Sequence, residues 1–135
     1  MMSRKIFVLT KFAIALLVIC ASSPGLQAAV RTWTGGGTTI NWSDAANWQG
    51  NVVPLAGDDL VFPSGVTQLA TNNNISARQF KSISFKGSGY SVSGLALRLS
   101  GNINAESANS NHLIDVPVQL TGIATCFISV GTDSH

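Results

Sequence analysis

Proton transfer at neutral pH starts from a side chain that titrates there, and His112, in the turn "ANSNHL", is placed among polar residues that could assist it. Ser110 and Asp115 lie within three residues of it and Glu106, the only glutamate, six residues before it. A nucleophile, a base and a carboxylate are thus close in sequence. A triad, however, needs its third member positioned, and glycosidase chemistry needs carboxylates paired across a substrate. Asp115 is alone on its strand, and no lysine or arginine base joins the cluster. No catalytic residue is assigned, and the expectation is that the chain is not an enzyme.

Asp58 and Asp59, with Asp44 nearby in sequence, are hard oxygen donors of the kind calcium takes. Neither an EF-hand loop nor the "GGxGxD" nonapeptide of calcium-binding β-rolls surrounds them, and "GDD" before a strand reads as a turn. No metal ligand is assigned. "GSG" at 87–89 lacks the third glycine and the helix of a dinucleotide site, and "GGG" at 35–37 is not followed by "GK[ST]", so no cofactor is expected. Trp33, Trp42 and Trp48 carry a sharper possibility: flat indoles stack on sugar rings while Asn or Asp side chains take the hydroxyls. They are the candidate glycan-binding residues, and the competing reading is that they are buried.

The elements that must position these groups begin with a leader. "MMSRKIFVLTKFAIALLVICASSPGLQA" sets Arg4, Lys5 and Lys11 before an apolar run from Phe12 to Ala21, then Pro24 and Gly25, with small Ala28 at the end. These are the three parts of a secretory signal peptide, and the run is shorter than the ~20 residues of a membrane-spanning helix. The expectation is a signal peptide over 1–28, cleaved after Ala28, and a secreted or cell-surface protein without a membrane span. Cys20 follows three aliphatics as in a lipoprotein, but Ile19 is too large for the position before a lipidated cysteine.

Removing the leader leaves five basic residues against six acidic ones. The remaining Arg31, Arg78, Lys81, Lys86 and Arg98 are scattered singly, so no cluster is present to neutralise phosphates and no nucleic-acid partner is expected. Cys126 is then the one cysteine, which excludes an intrachain disulfide.

From Leu60 onward apolar residues alternate with polar ones: Leu60 and Phe62; Ile83 and Phe85; Tyr90 and Val92; Leu95, Leu97 and Leu99; Ile114, Val116, Val118 and Leu120; Ile128 and Val130. Period two predicts strands with one buried face, and "PSG", "TNNN", "KGSG", "SGN", "ANSN" and "LTG" between them predict turns. Exits in "VSG", "LSG" and "LTG" make a degenerate repeat, compatible with a single sheet, a sandwich or a solenoid. Pro117, whose missing N–H would break a ladder bond, favours a corner and thus a coiled arrangement.

Residues 31–63, "RTWTGGGTTINWSDAANWQGNVVPLAGDDLVFP", differ in kind. Trp33 belongs to a first strand, the glycines make a turn, and Ser43 is expected to cap a helical turn through Asp44, Ala45 and Ala46. Pro54 redirects the chain before Gly57 and Asp58 turn it into the strand of Leu60 and Phe62.

On Trp33, Gly35, Trp42, Ser43, Ala46, Asn47, Trp48, Gly50, Pro54, Gly57, Asp58, Leu60 and Phe62, followed by Ile83, Phe85, Gly89, Tyr90, Leu97 and Gly101, the chain resembles the N-terminal part of bacterial proteins with autotransporter-associated β-strand repeats, also called passenger-associated transport repeats. The resemblance implies an all-β fold, a right-handed parallel β-helix or solenoid, at the surface or outside the cell, and lends no catalytic residues. In that frame the indoles are a cap over the open end of the first coil, at 29–59, and 60–135 supply about three coils of degenerate repeats in an incomplete array. The last coil of such an array would expose unpaired backbone. "NWS" and "NIS" match glycosylation acceptors at Asn41 and Asn74 but are discounted in a bacterial protein. The expected role is a structural or adhesive passenger-type module without its own catalysis, with an extracellular glycan or another surface protein as partner. The alternative is an extracellular carbohydrate-binding module using Trp33, Trp42 and Trp48.

Overall fold

A computed structural model describes residues 28–106, 111–122 and 128–130. The alternating runs form short strands: β1 (Val30–Thr32), β2 (Asp59–Phe62), β3 (Ala70–Asn73), β4 (Gln79–Phe80), β5 (Ser82–Phe85), β6 (Ser91–Gly94), β7 (Leu97–Leu99), β8 (Ile103–Ala105), β9 (Leu113–Ile114), β10 (Val118–Leu120) and β11 (Ile128–Val130). Helix is confined to two 3-10 turns, Ala45–Asn47 and Gln49–Asn51, and among the described residues no helix is long and apolar enough to cross a membrane.

All strand pairs are parallel, in three short sheets. The first is ordered β1-β2-β5-β8-β11, the second β3-β6-β9 and the third β10-β7-β4. From β2 onward the chain visits the first, second and third sheets in unchanging order. A parallel neighbour requires a crossover, and here strands of the other two sheets form the crossover in place of a helix.

Register sets like over like. Leu60 is level with Ile83 and Ile83 with Ile103, while Phe62 is level with Phe85, and these side chains are buried. The residues between them, Val61, Ser84 and Asn104, share the opposite face. In the third sheet Phe80 is level with Leu99, again both buried.

Two sequence expectations need correction. "TNNN" is not a turn: Thr71, Asn72 and Asn73 lie in β3, with Thr71 and Asn73 buried. Polar residues are tolerated inside because each is satisfied by the neighbouring strand or the residues after it: Thr71 Oγ1 donates to the Ser91 carbonyl at 3.0 Å, and Asn73 Nδ2 to the carbonyls of Leu95 and Ala96 at 3.1 and 3.3 Å. The run from Ile114 to Leu120 is likewise not one strand. It breaks into β9 and β10 around Val116 and Pro117, where a missing N–H costs no ladder bond.

Residues before β2 close the N-terminal edge of every sheet. β1 pairs with β2 in the first. In the second, Asn41 bridges Asn72, with Trp42 N donating to Asn72 O at 2.9 Å and Asn72 N to Ile40 O at 2.8 Å. In the third, Gly57 N donates to Gln79 O and Lys81 N to Asp58 O, both at 2.9 Å.

Two glycines separate backbone strain from crowding. Gly57 and Gly94 have φ of +83° and +102°, but a Cβ on Gly57 meets nothing, whereas one on Gly94 would collide with Asn72 Oδ1 and the Asn73 carbonyl. Gly94→Ala is therefore expected to lower the urea unfolding midpoint clearly more than Gly57→Ala. Equal losses would mean that the close approach of β6 to β3 carries no weight.

Candidate functional site

The tryptophan segment is built on a short turn. Asp44, not Ser43, caps Ala45–Asn47: its Oδ1 accepts from Ala46 N at 3.2 Å, while its Oδ2 accepts from Thr39 Oγ1 at 2.9 Å. Ser43 is taken up by β3's exit, its N donating to Asn74 Oδ1 and its Oγ accepting from Asn74 Nδ2. Asn47, buried inside the segment, donates to the carbonyls of Thr39 and Asn41 and accepts from Gly37 N.

This frame brings the three indoles together. Trp33 and Trp48 meet edge to face at 5.2 Å, and Trp42 and Trp48 at 6.1 Å. Phe62 touches all three, at 5.8 to 6.0 Å, and continues to Phe85 at 5.2 Å and Tyr90 at 5.3 Å. Trp33, Trp42 and Trp48 are 0, 0 and 1% exposed. A sugar ring needs a free indole face and none of the three offers one, so the glycan-binding role expected of these residues in the alternative reading has no geometric support. Trp33 Nε1 donates to Gln68 O and Trp48 Nε1 to Trp42 O, whereas Trp42 Nε1 is buried without a partner among the described residues.

The aspartates are not gathered. Asp59 is shared between Lys81 and Ser82, Asp44 caps its turn, and Asp58 is buried beneath β1. Among the described residues no three potential metal ligands lie together. Asp58 accepts from Ala29 N at 2.9 Å, Arg31 Nε at 2.7 Å and Leu55 N at 2.9 Å. Burial opposes its charge, but the hydrogen bond from Arg31, the two backbone amides and the charge of Arg31 outweigh that cost and hold its pKa below the ordinary 3.8.

Among the described residues no catalytic partner stands beside His112. Its ring stacks on Phe85 at 4.7 Å and 26°, extending the aromatic column, and neither ring nitrogen has a partner among the described residues. Loss of solvent lowers its pKa from 6.5. Asp115 is exposed, Glu106 pairs with Lys86 at 3.6 Å on the surface, and Ser110, like Cys126 and residues 1–27, over which the signal peptide is expected, lies outside the described residues. Tyr90, whose hydroxyl donates to Pro63 O, is raised to about 12 by burial.

No protein-family model, curated protein or solved structure matches this chain. What the chain can do chemically must therefore be read from its own grooves and faces. The larger groove, about 310 Å³, is lined by Ser76, Ala77, Leu95, Ala96, Arg98 and Gln119, and its arginine is already engaged, Nε donating to Gln119 Oε1 at 2.8 Å. Its one hydroxyl, Ser76, has no histidine or carboxylate beside it among the lining residues. Sequence reasoning singled out the tryptophans and Asp58 but missed Arg31, Asn47 and Asn73 as interior polar partners. For Asn47 the signal was an amide directly before a buried tryptophan; for Arg31, a lone cation one turn of the stack from "GDD".

Replacing Trp48 by Phe strands the Trp42 carbonyl, while the same change at Trp42 removes a donor that has no partner. Trp48→Phe should cost ~1 kcal/mol more than Trp42→Phe in urea denaturation. The titrating groups predict two acid transitions. The unfolded chain protonates His112 near pH 6.5 before the folded one does, so stability falls below that pH until the lowered folded value is reached. Asp58 contributes stability that is complete above 3.8 and is lost as the pH drops through its lower folded value. Midpoints measured against pH should lose the upper slope in His112→Phe and the lower slope in Asp58→Asn.

Proposed function

We propose that this chain is an exported, non-catalytic module in which a right-handed parallel β-helix, capped by its tryptophan-rich segment, serves a structural or adhesive role at the bacterial surface. The observation that carries the reading is the closure of all three sheet edges by one N-terminal segment, over sheets that gain strands in fixed order. A stack of parallel coils needs such a terminal unit, because its first coil otherwise presents open backbone and apolar cross-section to water. The resemblance to autotransporter-associated repeat proteins and the leader at 1–28 point the same way.

In this reading the product of the fold is a stiff column lengthening by ~4.8 Å per coil. The outward positions carry polar side chains in level rows, Asn41, Asn72 and Ser93 in the second sheet and the longer Gln79, Arg98 and Gln119 in the third. A surface protein or glycan would meet these rows and not the indoles.

Expression with its own leader in a Gram-negative host, followed by fractionation and a cell-adhesion assay, tests the role. The protein is expected outside the cytoplasm, conferring adhesion that Trp42→Phe leaves intact. Retention in the cytoplasm, or cleavage of a polysaccharide by the purified chain, would replace this reading.

A further inference from the structure

The most heavily coordinated carboxylate among the described residues sits where the chain's expected processing site ends. Asp58 is 2% exposed and uses both oxygens: Oδ2 accepts from Arg31 Nε at 2.7 Å and Leu55 N at 2.9 Å, and Oδ1 accepts from Ala29 N at 2.9 Å. Ala29 is held from its other side as well, its carbonyl accepting from Asp59 N at 2.9 Å. Ala28, one residue earlier, is exposed. Backbone pairing of the first strand thus begins at the residue that leader removal would make the N-terminus.

We propose that Asp58 is a built-in binding site for the α-ammonium of Ala29, so that removal of the leader completes an ion pair and fastens the N-terminal edge of the stack. The inference rests on the exported reading and on cleavage between Ala28 and Ala29. Hydrolysis by a leader peptidase breaks that peptide bond; water gives its oxygen to the Ala28 carboxyl group and a proton to the Ala29 nitrogen, and a proton from solvent completes the ammonium. The nitrogen keeps its place on Oδ1 but changes from a neutral amide donor to a cation, and charge-assisted hydrogen bonds are roughly twice as strong as neutral ones. Arg31 does not compete, since its guanidinium occupies the other oxygen. The neighbouring carboxylate, Asp59, is engaged by Lys81 Nζ at 3.2 Å and Ser82 Oγ at 2.5 Å, which leaves Asp58 as the ammonium's counter-ion. Before processing the same site holds only an amide, and the N-terminal strand is fastened less firmly.

Three purified forms test this: a chain starting at Ala29, the same chain with Ala29 acetylated, and a chain starting at Ala28. At pH 7 the Ala29-starting form should show an unfolding equilibrium constant ~10-fold smaller than the other two. The difference should vanish near pH 10, where the ammonium is lost, and in Asp58→Asn. The Ala29 α-amino group, followed by NMR, should titrate above the ordinary range of about 7.7–8.0. Equal stability of the three forms at pH 7, or an α-amino group titrating in the ordinary range, overturns the proposal without need of the Asp58 variant. N-terminal sequencing of the exported protein closes the test: a start at Ala29 supports the processing step and any other start overturns it. Because the stability arm uses no export and no adhesion, its failure is separable from failure of the surface role.

Discussion

The constraint on which the structure depends is level stacking: in parallel, in-register sheets each inward side chain must fit directly against the one at the same level on the neighbouring strand. Leu60, Ile83 and Ile103 satisfy it with aliphatics, and Phe62 and Phe85 with rings 5.2 Å apart and 25° from parallel. The third position of that ring column is Ala105, which is too small to follow Phe85. His112 lies against Phe85 instead, delivered from the segment before β9. An imidazole with no partner on either nitrogen among the described residues can fill a ring-sized space provided it stays neutral. The lowered pKa of His112 is a consequence of that placement.

Stacking also creates the problem that the tryptophan segment solves. A repeating column has no natural end, and its first layer would leave Phe62 and Phe80 without neighbours on one side. The three indoles supply that layer from residues that do not repeat, with Phe62 as the shared contact. Truncating a buried ring of this size costs ~3–5 kcal/mol, a large share of the net stability of a small domain. Large rings alone would not fix the segment's path. Asn47 fixes it locally, donating to the Thr39 and Asn41 carbonyls and accepting from Gly37 N, and Asp58 by accepting from the amides of Leu55 and the distant Ala29, which converts an apolar lid into a defined one.

Much of this was legible in the residues, and what was missed has one cause. Period-two alternation located β2, β5, β6, β7 and β10 because their inward positions are apolar. β3 was read as a turn because its inward positions are Thr71 and Asn73, whose compatibility with burial depends on carbonyls 20 or more residues away. The same non-local dependence hid the role of Arg31 and moved the cap of Ala45–Asn47 from Ser43 to Asp44 once Asn74 claimed the serine. The burial of the tryptophans was anticipated by the need of a stack for an end. Their mutual geometry was not, since spacing along a chain says nothing of edge-to-face packing.

The polar interior of β3 and the polar residues of the tryptophan segment bear on the stiffness of the fold. Buried Thr71 and Asn73 bond carbonyls of β6 and of the residues that follow it, while buried Asn47 bonds backbone of its own segment and buried Asp58 accepts from two backbone amides and Arg31 Nε. A side chain so engaged is held in one rotamer. Satisfaction in the resting state favours rigidity, and rigidity is the property that a structural or adhesive column requires of its scaffold.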